Sequence, residues 1–399
     1  MRAIYKAYKN LFYISVLFRL GNQRGAIRLT QKTLTIAEKF QLHHVAIELL
    51  EQLRNHSLQT GNRKEYSNLT LSLEHQMRQL DNGSKIKTLE NEIRINFVKS
   101  LFIDDQVKIK AGHSLRKIQK LLEKDTTYMG WIYYFRLKYM YHQIIGQPMQ
   151  SIDACNEAMS YMDKMSHMTP KSRLGEFSLY KFENYILLRD YEKGIAAIVS
   201  CEKYIIEGSS LWFKMKENQY FLMMQTLKFD QALAIVITVT SHEKYNFQIQ
   251  HLKDRWAIFE RYAFYASGTP NPKMSRVQKV SPYTKDKKGF NVAIIIINIL
   301  KLLEEKKMDL LIEQVETLSS YRFHYLSGNY SRQSFLLFKL IHIMINCEFD
   351  LEKIRKKTPG IEKQLLESIP ATGELFECIQ ILPPHWVWER MKKLLAARQ

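Results

Sequence analysis

Apolar residues recur along this chain at the three-and-four spacing of a helix, and short polar turns interrupt them. After "RLGN" at 19–22, Ala26, Ile27, Thr30, Thr33, Leu34 and Ala37 fall on one side of a helix. A similar phrase, "GNRKEYSNLT", opens at Gly61. Gly146, Arg189 and Leu227 begin three more turns with the same layout. Five residues after each turn residue stand Ala26, Tyr66, Ser151, Gly194 and Ala232, separated by 40, 85, 43 and 38 residues. The longest gap leaves room for one further unit around "FIDDQVKIKAGHSLRKIQKLL" (102–122). The pattern predicts about six units of roughly 40 residues, a length suited to a helical hairpin. Each has a first helix rich in aromatic and aliphatic residues, such as "WIYYFRLKYMYHQII" (131–145), then an amphipathic second helix. A small residue at the aligned position lets the two helices approach closely. Tyr66 departs from that rule and predicts a looser or shifted second unit.

These turns resemble the tetratricopeptide repeat. Gly21, Ala26, Ile27, Lys32, Thr33 and Leu34 fit that family's frame, as do Gly146, Ile152, Ala158 and Met159. Asp190, Tyr191, Gly194 and Ile195 fit it again, followed by Phe229, Asp230, Ala232 and Leu233. The family's closing proline is missing from most units, and the spacing exceeds its usual ~34 residues. The resemblance implies an all-α fold of antiparallel helix hairpins stacked into a right-handed α-solenoid over residues 1–266. It also implies a concave groove, lined by the first helices, that binds a peptide or protein. Carried onto this chain, the groove positions are Tyr133, Arg136 and Met140, then Tyr180 and Glu183, then Glu217, Asn218 and Phe221. Their mix of Arg and Glu does not match the all-basic carboxylate clamp of some family members.

Beyond the array, "SGTPNPKMSRVQKVSPYTKDKKG" (267–289) concentrates Pro, Gly, Ser and Thr and reads as a linker. Lys273, Arg276, Lys279, Lys285, Lys287 and Lys288 face only Asp286 there, so the segment is a candidate basic docking loop as well as a solvated connector. Residues 290–399 resume the helical pattern without clear repeat turns. "FNVAIIIINILKLL" (290–303) predicts a buried helix, although four consecutive isoleucines also suit a strand. It is too short to span a bilayer, which needs ~20 apolar residues. "SFLLFKLIHIMINCEF" (334–349) predicts another buried helix, and "LEKIRKKTPGIEKQLLESI" two short ones broken at Pro359-Gly360. The end, with Trp386 and Trp388, reads as a helical cap.

Composition agrees with helix. Only 15 Gly and 9 Pro occur in 399 residues, and 46% of residues are hydrophobic, enough for a sizeable core. Cys155, Cys201, Cys347 and Cys378 stand far apart, which excludes a CxxC metal framework and predicts buried free thiols in a reducing cytoplasm. The apolar run Leu11 to Phe18 lacks a following cleavage site and reads as helix rather than leader. No phosphate-binding glycine loop, HExxH or GxSxG occurs. His43 and His44 would point about 100° apart on a helix, and His324 and His342 lie among apolar residues. No catalytic residue, cofactor or metal site is therefore expected.

The formal charge of +19 is the remaining signal. Residues 1–130 hold 22 Lys/Arg against 12 Asp/Glu. Tyr5, Tyr8 and Tyr13 sit near Lys6 and Lys9, as a single-stranded nucleic-acid site would require. They also recur at helix spacing, which core packing accounts for. The leading expectation is a non-enzymatic scaffold that binds a peptide or protein partner. The alternatives are RNA or DNA binding through the basic face, and a peptide-responsive regulatory module. The regulatory reading needs a DNA-binding motif ahead of the array. Because Met1 opens almost directly into a repeat helix, that motif would lie upstream in a longer protein.

Overall fold

The computed structural model describes residues 2–99, 105–124, 127–270, 290–325, 332–368 and 381–397, and it is all-α. The first helices are α1 (Arg2–Arg19), α2 (Gln23–Lys39), α3 (His43–Gln59) and α4 (Arg63–Lys99). Next come α5 (Asp105–Lys124), α6 (Tyr128–Ile144) and α7 (Pro148–Lys164). They are followed by α8 (Lys171–Leu187), α9 (Tyr191–Tyr204), α10 (Ser210–Gln225), α11 (Phe229–Thr240) and α12 (Gln250–Ser267). The last are α13 (Phe290–Glu304), α14 (Met308–Tyr325), α15 (Arg332–Asn346), α16 (Leu351–Lys357), α17 (Pro359–Glu367) and α18 (Pro384–Ala396). No strand occurs among the described residues.

One turn geometry joins many of these helices. At the end of α1, Gly21 takes φ 76°, in the left-handed region. Its N–H donates to the Phe18 carbonyl at 3.1 Å, and the Asn22 N–H donates to the Leu17 carbonyl at 3.0 Å. These two bonds satisfy carbonyls that the helix end would otherwise leave open. Asn22 then opens α2, because its Oδ1 accepts from the Gly25 N–H and its own carbonyl accepts from the Ala26 N–H. The same pair of bonds recurs around Gln41, Gly61, Gly146, Arg189, Leu227, Lys306 and Glu348. The aligned small residues are those whose N–H makes the first bond of the next helix: Ala26, Ser151, Gly194 and Ala232, joined by Ala46. All five are buried. Tyr66 makes the same first bond, to the Asn62 carbonyl at 3.0 Å, so its turn is regular and only its half-buried side chain differs.

Five of these turns have no glycine at the left-handed position, and three of the five, at Gln41, Lys306 and Glu348, fall where the repeat pattern marks no turn. Gln41 sits 20 residues after Gly21 and 20 before Gly61, so the return turn of the first hairpin is built like its forward turn. Lys306 and Glu348 carry the same turn into the C-terminal region, where the sequence shows no repeat turns. A left-handed conformation costs a side-chain-bearing residue roughly 1–2 kcal/mol. Two of these residues bring a compensating contact. Gln41 Oε1 accepts the Tyr128 N–H at 2.7 Å, capping the start of α6. Arg189 Nη2 donates to Gln333 Oε1 at 2.9 Å, and Gln333 Nε2 in turn donates to the Ser368 carbonyl.

The pattern lapses after Asn62. Helix α4 runs unbroken for 37 residues, and α5 is a single helix where the spacing predicts a hairpin. "DNGS" at 81–84 has turn chemistry, yet the helix passes through it. Gln79, Ile86 and Ile93, seven apart, stay buried along one side, and Lys85 pairs with Asp81 across the segment.

The chain divides into two compact units. The first comprises Met1–Asn96, Asp105–Tyr141 and Asn156–Thr169. The second comprises Phe97–Asp104, His142–Cys155 and Pro170–Gln399. In the first, Ala7, Ile14, Ala37, Val45, Ala46 and Leu49 form a core shared by α1, α2 and α3. In the second, one core reaches from Leu179 to Leu395. Helices α12 and α13, on either side of the expected linker, both contribute to it, and Tyr262 Oη donates to the Ala293 carbonyl at 2.6 Å. Val292 to Leu303 is helical and buried almost all round, whereas α15, expected to be buried likewise, is amphipathic: Leu336, Leu337, Leu340, Ile341 and Met344 are buried, and Phe335, Lys339, His342 and Asn346 form an exposed stripe. Within each unit, helices pack on neighbours one and two places along the chain, such as α1 on α2 and α3, or α8 on α9 and α10. That arrangement is consistent with a helical repeat. In the second unit α18 packs on α13, α15, α16 and α17, with Trp388 buried. No helix among the described residues is long and apolar enough to cross a membrane.

The turn account makes a paired prediction. Leu227 occupies the left-handed position with a half-exposed side chain. Leu227→Gly removes that backbone cost and should raise stability by about 0.5–1 kcal/mol in urea unfolding. Arg189→Gly gives up the Gln333 bond with the same relief and should give no gain. Equal gains from both would contradict the role assigned to Arg189.

Candidate functional site

Most of the groove positions carried over from the family resemblance lie at seams between helices two places apart along the chain. In the first unit, Arg136 on α6 and Glu90 on α4 form an ion pair at 3.3 Å, with side chains 5% and 0% exposed. The Arg136 guanidinium also lies 5.7 Å from the Tyr133 ring centre. Met140 is buried beside them on α6, and Tyr133 is half-buried.

In the second unit the seams form a polar ladder. Gln143 Nε2 at the end of α6 donates to Asn184 Oδ1 on α8 at 3.0 Å. Asn218 Nδ2 on α10 donates to Glu183 Oε1 on α8 at 3.2 Å. Arg255 Nη1 on α12 donates to Glu217 Oε1 on α10 at 2.6 Å, and Arg255 Nη2 contacts His251 Nε2 at 3.1 Å. Phe221 is buried edge-on against Phe259. Tyr180 is half-buried, and its hydroxyl donates to Glu176. The bonded pairs among them hold each helix to the one two places along. A peptide would have to displace bonds already made, which costs more than meeting exposed groups.

A more open arrangement lies on α6 and α7 in the first unit. Trp131 and Tyr161 stand fifteen residues before and after Gly146, so the hairpin reversal brings them to one level. Their ring centres are 5.8 Å apart. Phe135 packs 5.7 Å from Trp131 and 5.8 Å from Tyr161, and Tyr134 stands edge-on to Trp131 at 5.5 Å. These rings form the floor of an open hollow of about 560 Å³, within the size range of ligand clefts. Asn156, Glu157, Ser160 and Lys164 make a polar rim, and Glu157 is tied to Lys138. Burial, with Tyr128 alongside, pushes the Tyr161 hydroxyl up to about 12, so it stays a neutral donor at any physiological pH. Sequence reading missed this site. The aromatic run at 131–135 was visible as helix-core spacing, but nothing local pairs it with Tyr161.

The first hairpin shows a further exposed surface. Tyr5, Tyr8 and Tyr13 are 70%, 52% and 45% exposed, and Phe12 is 68% exposed. Core packing therefore does not account for these rings, contrary to the reading of their helical spacing. The core side of α1 is made instead by Ala7 and Ile14. Lys6, Lys9, Arg2 and Arg19 are exposed on the same helix, and the Lys9 ammonium lies 5.5 Å from the Tyr13 ring centre.

The proposed basic docking loop, Lys273, Arg276, Lys279, Lys285, Lys287 and Lys288, lies outside the described residues. Cys155, Cys201 and Cys347 are buried free thiols, and Cys378 lies outside the described residues. Burial pushes the Cys201 thiol up to about 12 and Cys155 higher still, so neither supplies a thiolate. Among the described residues no group of His, Cys, Asp or Glu is placed to hold a metal ion. No family model, curated protein or solved structure matches the chain.

The seam assignment predicts a large, specific cost. Arg136→Ala leaves the Glu90 carboxylate buried and should destabilise the fold by about 3–5 kcal/mol in urea unfolding. Arg136→Met combined with Glu90→Leu should recover most of that loss. A small effect of Arg136→Ala would free this residue for a ligand-binding role.

Proposed function

We propose that the chain is a non-enzymatic helical-repeat interaction protein of the tetratricopeptide-like kind, and that the α6–α7 hollow takes up a peptide or protein partner. The observation that carries this reading is the cluster of half-buried Trp131, Tyr134 and Tyr161 around buried Phe135, open on one side and edged by a polar rim. Large rings give much contact area at little entropic cost and are the residues most often found at binding hot spots. The rim of Asn156, Ser160 and Lys164 can meet the backbone of an extended segment while an aromatic or aliphatic side chain rests on the rings. The recurring turn supports the scaffold part of the reading, because it holds the helices without recourse to a bound ligand. A right-handed sense for the stacked hairpins, which rests on the family resemblance, and a capping role for α18, which rests on Trp386 and Trp388 and the need of helical stacks for end caps, belong to the same proposal. The seam residues Arg136, Glu183, Glu217 and Asn218 then serve the scaffold rather than the partner.

Selection from a random peptide library tests this directly. Enriched peptides should share an aromatic or leucine anchor, and Trp131→Ala should weaken them by about thirtyfold, the size of a hot-spot loss. An unchanged helical circular-dichroism spectrum would confirm that the variant folds. No enrichment, or enriched peptides that bind Trp131→Ala as well as the parent, would overturn the assignment.

A further inference from the structure

The first hairpin concentrates charge in a way the rest of the described chain does not. Between Arg2 and Lys39 it carries eight Lys/Arg and one acidic residue, Glu38. Four of the cations lie on α1, and Arg24, Arg28, Lys32 and Lys39 lie on the exposed side of α2. Among the described residues none of the eight takes part in an ion pair. Elsewhere pairing is common, as in Lys110 with Glu92 or Arg255 with Glu217. A cluster of unneutralised cations repels itself and lowers stability, and a polyanion relieves that repulsion.

The rings beside these cations narrow the class of polyanion. Tyr5, Tyr8 and Phe12 follow one strip of α1, and Lys9 and Arg2 border it. Successive rings are about 4.5 and 6 Å apart along the helix axis. That exceeds the ~3.4 Å step of stacked bases, and it suits bases splayed apart onto separate rings. Tyr8 also edges a hollow of about 420 Å³ between α1, α3 and α4, with Leu11, Val45 and Met77 along it. His44, Glu48 and Asp81 stand at that hollow, so it suits the polar edge of a base and would repel a phosphate. An anionic bilayer would satisfy the lysines, but an interfacial helix is anchored mainly by Trp, Phe and Leu. On the strip only Phe12 is fully apolar, and the other two rings carry hydroxyls.

We propose that the outer face of α1 and α2 binds single-stranded nucleic acid, with phosphates on the lysines and arginines and bases against Tyr5, Tyr8 and Phe12. This partner and surface are separate from the peptide and the α6–α7 hollow, so either can fail alone.

Fluorescence anisotropy of the full chain with a labelled random-sequence RNA of about 15 nucleotides tests the proposal. With about four phosphate contacts, affinity should fall roughly fiftyfold between ~50 mM and ~200 mM salt. Tyr5→Ala with Tyr8→Ala should weaken binding about tenfold or more and leave the salt dependence unchanged. Lys6→Glu with Lys9→Glu should weaken binding and flatten the salt dependence. All four residues are exposed, so neither variant should melt below the parent, and the lysine pair, which relieves repulsion within the cluster, should melt at or above it. Lys356→Glu with Lys357→Glu, exposed on α16, makes the same change in net charge outside the first hairpin and should change affinity by less than about twofold, since the proposal places the phosphate contacts on α1 and α2. No binding at low salt would overturn the proposal, as would an equal loss from the α16 pair. Two competitions complete the test. Capture by phosphatidylserine vesicles without RNA binding would give the face to a membrane. A poly-glutamate peptide competing as well as RNA would remove the stacking role and overturn it too.

Discussion

At each recurring turn two amide groups beyond the helix end take up two of its last carbonyls, and one residue must enter the left-handed region to let them do so. That exchange ends one helix and aims the next within three residues. At Asn22, Asn62 and Asp190 the residue after the turn also caps the following helix with its side chain. Because the geometry is local, it can be copied along the chain without regard to which helices it joins. The spacing of 20 residues from Gly21 to Gln41 to Gly61 is the direct result, and two such steps make the 40-residue period.

Close packing follows from what stands after the turn. Ala26, Ala46, Gly194 and Ala232 are small because their position lies where the second helix leaves the first. Between hairpins, apolar contact is supplemented by bonded polar pairs: Arg136 with Glu90 in the first unit, and Glu183 with Asn218 and Glu217 with Arg255 in the second. Such pairs add little net stability, but removing one partner is costly, so they fix register between helices. The two proposed binding surfaces are ones this framework does not consume, namely the aromatic floor of α6 and α7 and the basic outer face of the first hairpin.

The helical class and five of the turns were legible because glycine or a matched spacing marks them. Gln41, Lys306 and Glu348 were not, since they pay for the left-handed conformation without announcing it through residue type. Gln41 shows why glycine is absent there: its side chain caps a helix 87 positions away. The groove residues were chosen by register alone, and register cannot tell an exposed Arg136 from one buried against a Glu90 on another helix. Tyr5, Tyr8 and Tyr13 failed in the opposite direction. Helix α1 has apolar residues on two sides, and spacing does not say that Ala7 and Ile14 face the core while the tyrosines face outward. Tyr161 could join Trp131 only once the hairpin reversal was known.

The central claim is that a left-handed residue, not side-chain packing, sets each turn. Gly61 and Gly83 separate the two effects, since a Cβ added at either would touch nothing within 4 Å. Gly61 has φ 69° at the α3–α4 turn, whereas Gly83 lies inside α4. In urea unfolding, Gly61→Ala should destabilise the protein by about 1–2 kcal/mol and Gly83→Ala should stabilise it by up to about 1 kcal/mol. The same sign for both substitutions would contradict the account.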